Sequence, residues 1–178
     1  MLLLNGVEDR ALRARCEAIG AELAAEPLDL EAAVIDLDAY LEAAQRVEAE
    51  MLCFLNSYSE ILAPGWLDVL SIAIGQPGVG ITAATGSYES ALSSAPRPLK
   101  PFLRRRFPPF PNPHVRTNAF MLRRDLMLSL DWPSSPRKRR ALELESGARS
   151  ITRQMWERGL RSLVVGRDGL AYEWEHWP

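Results

Sequence analysis

Three clusters of side chains in this 178-residue chain combine groups able to orient, polarise or deprotonate a substrate. The first follows the apolar run Met51, Leu52, Cys53, Phe54 and Leu55, which changes within one residue to Asn56, Ser57, Tyr58, Ser59 and Glu60. Such a run reads as a strand buried on both faces, and open α/β sheets hold ligands in the crevice outside the carboxyl ends of their strands. Asn56 and Ser57 serve equally well as caps for the helix that follows. The second cluster is His114, Arg116, Thr117 and Asn118. Arg116 offers a planar fork of donors suited to phosphate oxygens, while His114, just after Pro113, is either a ligand or an exposed loop side chain. The third is Glu145 with Ser146, Arg149 and Arg153, read as the opening of a helix over 146–158. A carboxylate just ahead of a helix N-terminus, with arginines on the following turns, is set to accept a proton, to cap the helix or to form an ion pair.

The elements that must position these groups alternate. A strand over 2–4 precedes a helix over 8–19 with Leu12, Cys16 and Ile19 as its buried stripe, Glu8 and Asp9 in its first turn and Gly20 as its stop. The stretch from 21 to about 35 is ambiguous: 21–25 reads as a short strand, and Pro27 breaks whatever precedes it. A helix from Asp36 or Asp38 to about Ala49 buries Leu37, Leu41, Ala44 and Val47 and feeds the strand that starts at Met51. Pro64 opens a helix through Ile74, and Gly75 and Pro77 close it. A strand over 79–84, rich in small residues, opens onto Thr85, Gly86, Ser87 and Tyr88. Beyond the proline-rich stretch come a strand over 117–122, a helix over 124–130, a loop over 134–140, the 146–158 helix and a last strand over 163–165. This order implies an α/β domain with right-handed crossovers.

Length fits one domain, and 47% hydrophobic with 25% charged residues is ordinary for a globular protein. No apolar run approaches the roughly 18 residues of a membrane span. The first ten residues lack the basic opening of a signal peptide, so a cytoplasmic location is expected. Cys16 and Cys53 have no metal-ligand spacing and read as reduced core residues. The net charge of −2 hides an asymmetry: residues 1–60 sum to −9 and residues 61–178 to +7. Seven of the 13 prolines fall within 90–114, among Arg97, Lys100, Arg104, Arg105, Arg106, Phe102, Phe107 and Phe110. That density precludes regular structure beyond one helical turn near 102–106. Bases interleaved with Phe over 97–110 fit peripheral contact with an anionic membrane. The sequence pI of about 5.8 argues against a dedicated nucleic-acid binder.

The segments CFLNSYSEIL with PGWLDVL, VGITAATGSYES, and the run from HVRTNAFMLRRDL to ESGARSITRQMWERG together resemble the second half of the nucleotide-diphospho-sugar transferase (GT-A) fold. The chain resembles glycosyltransferase family 2 and its relatives over roughly residues 36–170. The resemblance implies a GT-A-like single domain over 1–178, its mostly parallel sheet flanked by helices and a long Pro-rich basic loop inserted over 90–114. It implies transfer of a sugar from a nucleotide-sugar donor to a hydroxyl of a glycan or lipid-linked acceptor, as in polysaccharide biosynthesis. The alternative is a noncatalytic domain of the same fold with a binding or assembly role. Carried across, Glu145 is the catalytic base, with Ser146 where the family has its second acid. Asn56, Ser57, Tyr58, His114, Arg116, Thr117 and Asn118 line the donor and acceptor. Asn56 and Tyr58 stand where the family places the two acids of its metal-binding motif, so a divalent metal stays open but has no acidic motif to support it. The first donor-binding strand of the family has no counterpart, which implies an abbreviated member or a fragment trimmed at both ends.

Overall fold

A computed structural model describes residues 1–30, 34–135 and 137–178. They form two compact units, Met1–Glu48 and Ala49–Pro178.

In the first unit, strand β1 (Leu2–Leu4) pairs in parallel with β2 (Pro27–Asp29), Leu3 opposite Leu28. Helix α1 (Arg10–Glu22) joins them. Asp9 caps it, its side chain accepting from the Leu12 amide at 2.7 Å. The helix runs through Gly20, where a stop was expected; the glycine there serves packing, since the Ala25 carbonyl and Leu2 approach closely enough to crowd a Cβ. Its inner stripe is Arg13, Cys16 and Gly20, with Leu12 and Ile19 exposed. The expected Leu12–Cys16–Ile19 stripe is therefore rotated, and Arg13 reaches Asp29 at 2.6 Å. The 21–25 stretch is helix end and turn; the strand begins at Pro27. Helix α2 (Asp36–Arg46) buries Leu37, Tyr40 and Ala44 as its period requires.

The second unit is built on a five-stranded sheet in the order β3 (Met51–Leu55), β7 (Ala119–Arg123), β4 (Val79–Ala83), β8 (Arg161–Val165), β9 (Ala171–Tyr172). The architecture is mixed α/β with a central sheet and flanking helices, but the sheet is not mostly parallel. Only β4 and β8 pair in parallel; β7 runs antiparallel to both β3 and β4, and β9 antiparallel to β8. The cause is the return of the chain through Asn118: β7 lies between β3 and β4, so that Phe120 faces Phe54 on one side and Ala83 on the other. Within this unit β3 is consequently an edge strand. Leu52 and Phe54 are buried while Met51 and Cys53 are half-buried, so the expectation of burial on both faces fits β4, where every residue is buried, and not β3.

Helix α3 (Trp66–Ile74) packs on β4, β7 and β8. Helix α8 (Ile151–Glu157) packs on β4 and β8, where a Cβ on Gly80 would lie 2.7 Å from the Met155 sulfur. Between β4 and β7 the chain leaves the sheet through a two-residue pair, β5 (Gly86–Ser87) with β6 (His114–Val115). The 90–114 excursion on that stem holds more helix than expected: α4 (Ala91–Ser94), a 3-10 turn at Arg97–Leu99 and α5 (Lys100–Leu103). Helix α6 (Arg124–Leu128) follows β7. Helix α7 (Arg137–Ser146) occupies much of the stretch read as a 134–140 loop, Pro136 lying outside the described residues.

Candidate functional site

The carboxyl ends of β3, β4 and β8 and the amino end of β7 meet at one edge of the sheet, because β7 is antiparallel to the strands on either side of it. Asn118, just before β7, is the junction. Its carbonyl accepts from the Asn56 amide at 2.9 Å and the Ser59 hydroxyl at 3.2 Å, and its side-chain oxygen accepts from the Thr85 hydroxyl at 2.8 Å. Thr85 in turn accepts the Arg116 amide at 3.0 Å. The ends of three strands are thereby tied by one residue.

Asn56 itself shapes a turn. Its Oδ1 accepts from the Tyr58 amide at 3.2 Å and the Ser59 hydroxyl at 2.8 Å, an Asx-type turn at the end of β3. It caps no helix, since α3 begins only at Trp66. Ser57 is exposed, and Tyr58 is 94% exposed. An amide oxygen already committed to a turn, with a fully solvated phenol beside it, does not fit a divalent cation that demands several oxygen ligands, most of them charged. Among the described residues, no group of three or more His, Cys, Asp or Glu side chains is placed to hold a metal.

Glu145 lies in the last turn of α7 and not ahead of a helix N-terminus. The helix expected over 146–158 starts at Ile151, capped by the Ser150 hydroxyl, because Gly147 ends α7 by bonding back to Glu143. A carboxylate at a helix C-terminus faces the negative end of the dipole. Other groups offset this: the Thr117 hydroxyl donates to Oε2 at 2.6 Å, the Thr117 amide approaches at 3.4 Å, and the Arg116 Nε lies 3.5 Å from Oε1. Arg116 is also 3.9 Å from Glu89, a carboxylate the sequence did not single out. Arg149 pairs with Asp131, and Arg153 donates to Asn112 at 3.1 Å, so neither arginine turns to Glu145.

His114 is neither an exposed loop side chain nor an open ligand. It is 2% exposed in β6, and Nδ1 sits 2.8 Å from the Asn112 carbonyl, an acceptor only, so Nδ1 carries the proton. Burial pushes its pKa below the ordinary histidine value, opposed by the Asn112 bond and by Glu145. The imidazole is a neutral structural group behind Arg116.

Beside the junction opens a cavity of about 620 Å³. Thr85 and Asn118 line its base, Tyr58 and Trp66 one wall, and Val165 and Asp168 the other. Its lining is chiefly apolar, and Arg116 and Glu145 are not part of it. Asp168 is fixed by the Tyr172 hydroxyl and by the Leu170 amide, which hold its carboxyl below the usual carboxylate range. The structure thus brings Asn56, Thr117, Asn118, Arg116 and Glu145 to one sheet edge, sets Tyr58 on the open wall of the cavity, and leaves Ser57 outward and His114 inward. Thr85 and Asp168 join them unforeseen. The signal for both was available in the Thr-Gly and Gly-Arg-Asp-Gly turns that end β4 and β8.

No family model matches the chain, and no curated protein or solved structure matches it.

Proposed function

We propose that the Ala49–Pro178 unit is a glycosyltransferase-like domain of GT-A type that takes a nucleotide-sugar and moves the sugar to a hydroxyl of a glycan or lipid-linked acceptor. In this reading Glu145 accepts the acceptor hydroxyl's proton as that oxygen bonds the anomeric carbon. The bond from that carbon to the diphosphate breaks, and the nucleoside diphosphate leaves with its electron pair. Arg116 contacts the diphosphate, and Thr85 and Asn118 face the cavity that takes an uncharged part of the substrates. The observation that carries the reading is the half-buried Glu145 carboxylate, steadied by Thr117 and set beside Arg116 at the strand-end edge. A general base must be within hydrogen-bond reach of its proton and held in position, and this one is held.

The second reading, a noncatalytic domain of the same fold, draws on the Asn56 turn, which occupies the position where the resemblance puts a metal-binding acid, and on the engagement of Arg116 by two carboxylates. Calorimetric titration with UDP-, GDP- and dTDP-sugars, with and without Mn²⁺, separates the two. Heat with one donor, persisting in EDTA and lost in Arg116→Ala, supports the transferase; silence with every donor supports the binding domain.

A further inference from the structure

The 90–114 excursion contains five bases and no acid. It is not a loose loop. Phe107 is buried at its middle, the Ser90 hydroxyl holds the Pro108 carbonyl, Arg106 binds Glu143 at 2.8 Å, and the Ala148 amide donates to the Arg106 carbonyl. Asn112 closes its far end through the Tyr88 carbonyl and through Ser146.

A segment anchored this firmly nevertheless presents its largest remaining apolar side chains to water. Phe102 is 78% exposed, Phe110 65% and Leu99 51%. Leu99 and Phe102 are three residues apart across consecutive helical turns and so share a side. Phe110 is brought to the same end of the excursion, since its amide and the Lys100 ammonium both bond Ser93. Among the described residues, none of Arg97, Lys100, Arg104 and Arg105 is paired with a carboxylate, although Lys100 donates to the Ser93 carbonyl; Arg106 is held by Glu143. Exposed apolar side chains interleaved with cations that make no ion pair, on an anchored backbone, match an anionic lipid interface, where the apolar groups enter the headgroup boundary and the cations meet lipid phosphates and carboxylates.

We propose that the 97–110 platform is a peripheral membrane-docking surface for bilayers rich in anionic lipid. The overall charge of −2 does not oppose this, because charges more than about 8–10 Å from the surface are screened at physiological salt. Among the described residues no helix is long and apolar enough to cross a bilayer, so attachment would be interfacial. Nucleic acid is the weaker fit: a basic groove for single strands uses aromatic faces for stacking and has no role for Leu99 at the tip. The stem of the platform is the β5–β6 pair, and Arg116 follows directly on β6. Docking does not depend on the transferase reading.

The test is cosedimentation of the full chain with vesicles of 70:30 phosphatidylcholine:phosphatidylserine and of phosphatidylcholine alone, at low and high NaCl, with no sugar donor present. Binding is expected only to the anionic vesicles and should weaken with salt. It should fall about fivefold for each charge removed in Arg104→Gln with Arg105→Gln, and at least about tenfold in Phe102→Ser with Phe110→Ser. Thermal midpoints of both variants, matched to the parent, establish that folding is intact, as these side chains are exposed. The proposal is overturned by absence of binding to either vesicle, by equal binding to both that ignores the substitutions, or by retention of single-stranded RNA in place of vesicles.

Discussion

The Thr117 hydroxyl donates to Oε2 of Glu145 at 2.6 Å across 28 residues of sequence, joining the link between β6 and β7 to the last turn of α7. Since Arg116 and Asn118 flank Thr117, this one bond sets the carboxylate against the edge that the strand ends share. If Glu145 is the base, Glu145→Gln lowers transfer by about 10²–10⁴-fold. Thr117→Val should then lower kcat with little change in KM for the donor, and Thr117→Ser should restore it. A Glu145→Gln protein as active as the parent with its donor would remove the base assignment.

The second prediction concerns acid stability. Burial is the main cause of the lowered His114 pKa, so the unfolded chain binds its proton at higher pH than the folded one. The contribution of neutral His114 is complete above the unfolded value of about 6.5 and is lost as pH falls below it toward the folded value. Thermal midpoints measured from pH 7.5 to 5.5 should fall, and His114→Gln should flatten that slope even if it lowers the midpoint at pH 7.5. An unchanged slope would show that the imidazole is protonated at no cost.

Cys53 supplies a chemical probe of β3. Burial pushes its thiol up to about 11. At pH 8 roughly one thiol in a thousand is then thiolate, and only the thiolate is alkylated. In a Cys16→Ser background the folded protein should resist iodoacetamide at pH 8, react faster as pH approaches 11, and react rapidly once denatured. Rapid alkylation of the native protein at pH 8 would mean that β3 is more open than its half-buried side chains imply.

The C-terminal segment offers a fourth. A Cβ on Gly86 would collide with the indole of Trp177, which is buried and donates to the Tyr172 carbonyl at 3.0 Å. Tyr88 also holds the Trp174 carbonyl at 2.6 Å. Gly86→Ala should destabilise by about 1–3 kcal/mol through overpacking. In a Trp177→Ala background that cost should largely vanish, a coupling measurable by denaturant titration of the four proteins. Additive losses would place the strain elsewhere.

Much of the local structure was legible in the residues themselves. The apolar run from Met51, the small-residue run from Val79 and the Pro64 and Gly75 bounds of α3 gave elements within a few residues of those observed. Local backbone preference and hydrophobic period act over a few residues, so a sequence window contains them. The same locality explains the failures. A stripe at i, i+4, i+7 does not reveal that α1 presents Gly20 to Ala25, nor does a polar loop reveal that His114 will be buried.

For the candidate site, the sequence by itself determined which groups exist and that strand ends carry them: Asn56 after β3, Thr85 after β4, and Arg116, Thr117 and Asn118 ahead of β7. Tertiary structure alone decided that β7 runs back between β3 and β4, so those ends meet at Asn118. It alone decided that Glu145 closes a helix instead of opening one, its position set by Thr117. The physical reason is that strand pairing and side-chain burial are won by contacts far apart in the chain. Their free energy depends on what lies opposite, and the residues do not state that until the sheet has formed.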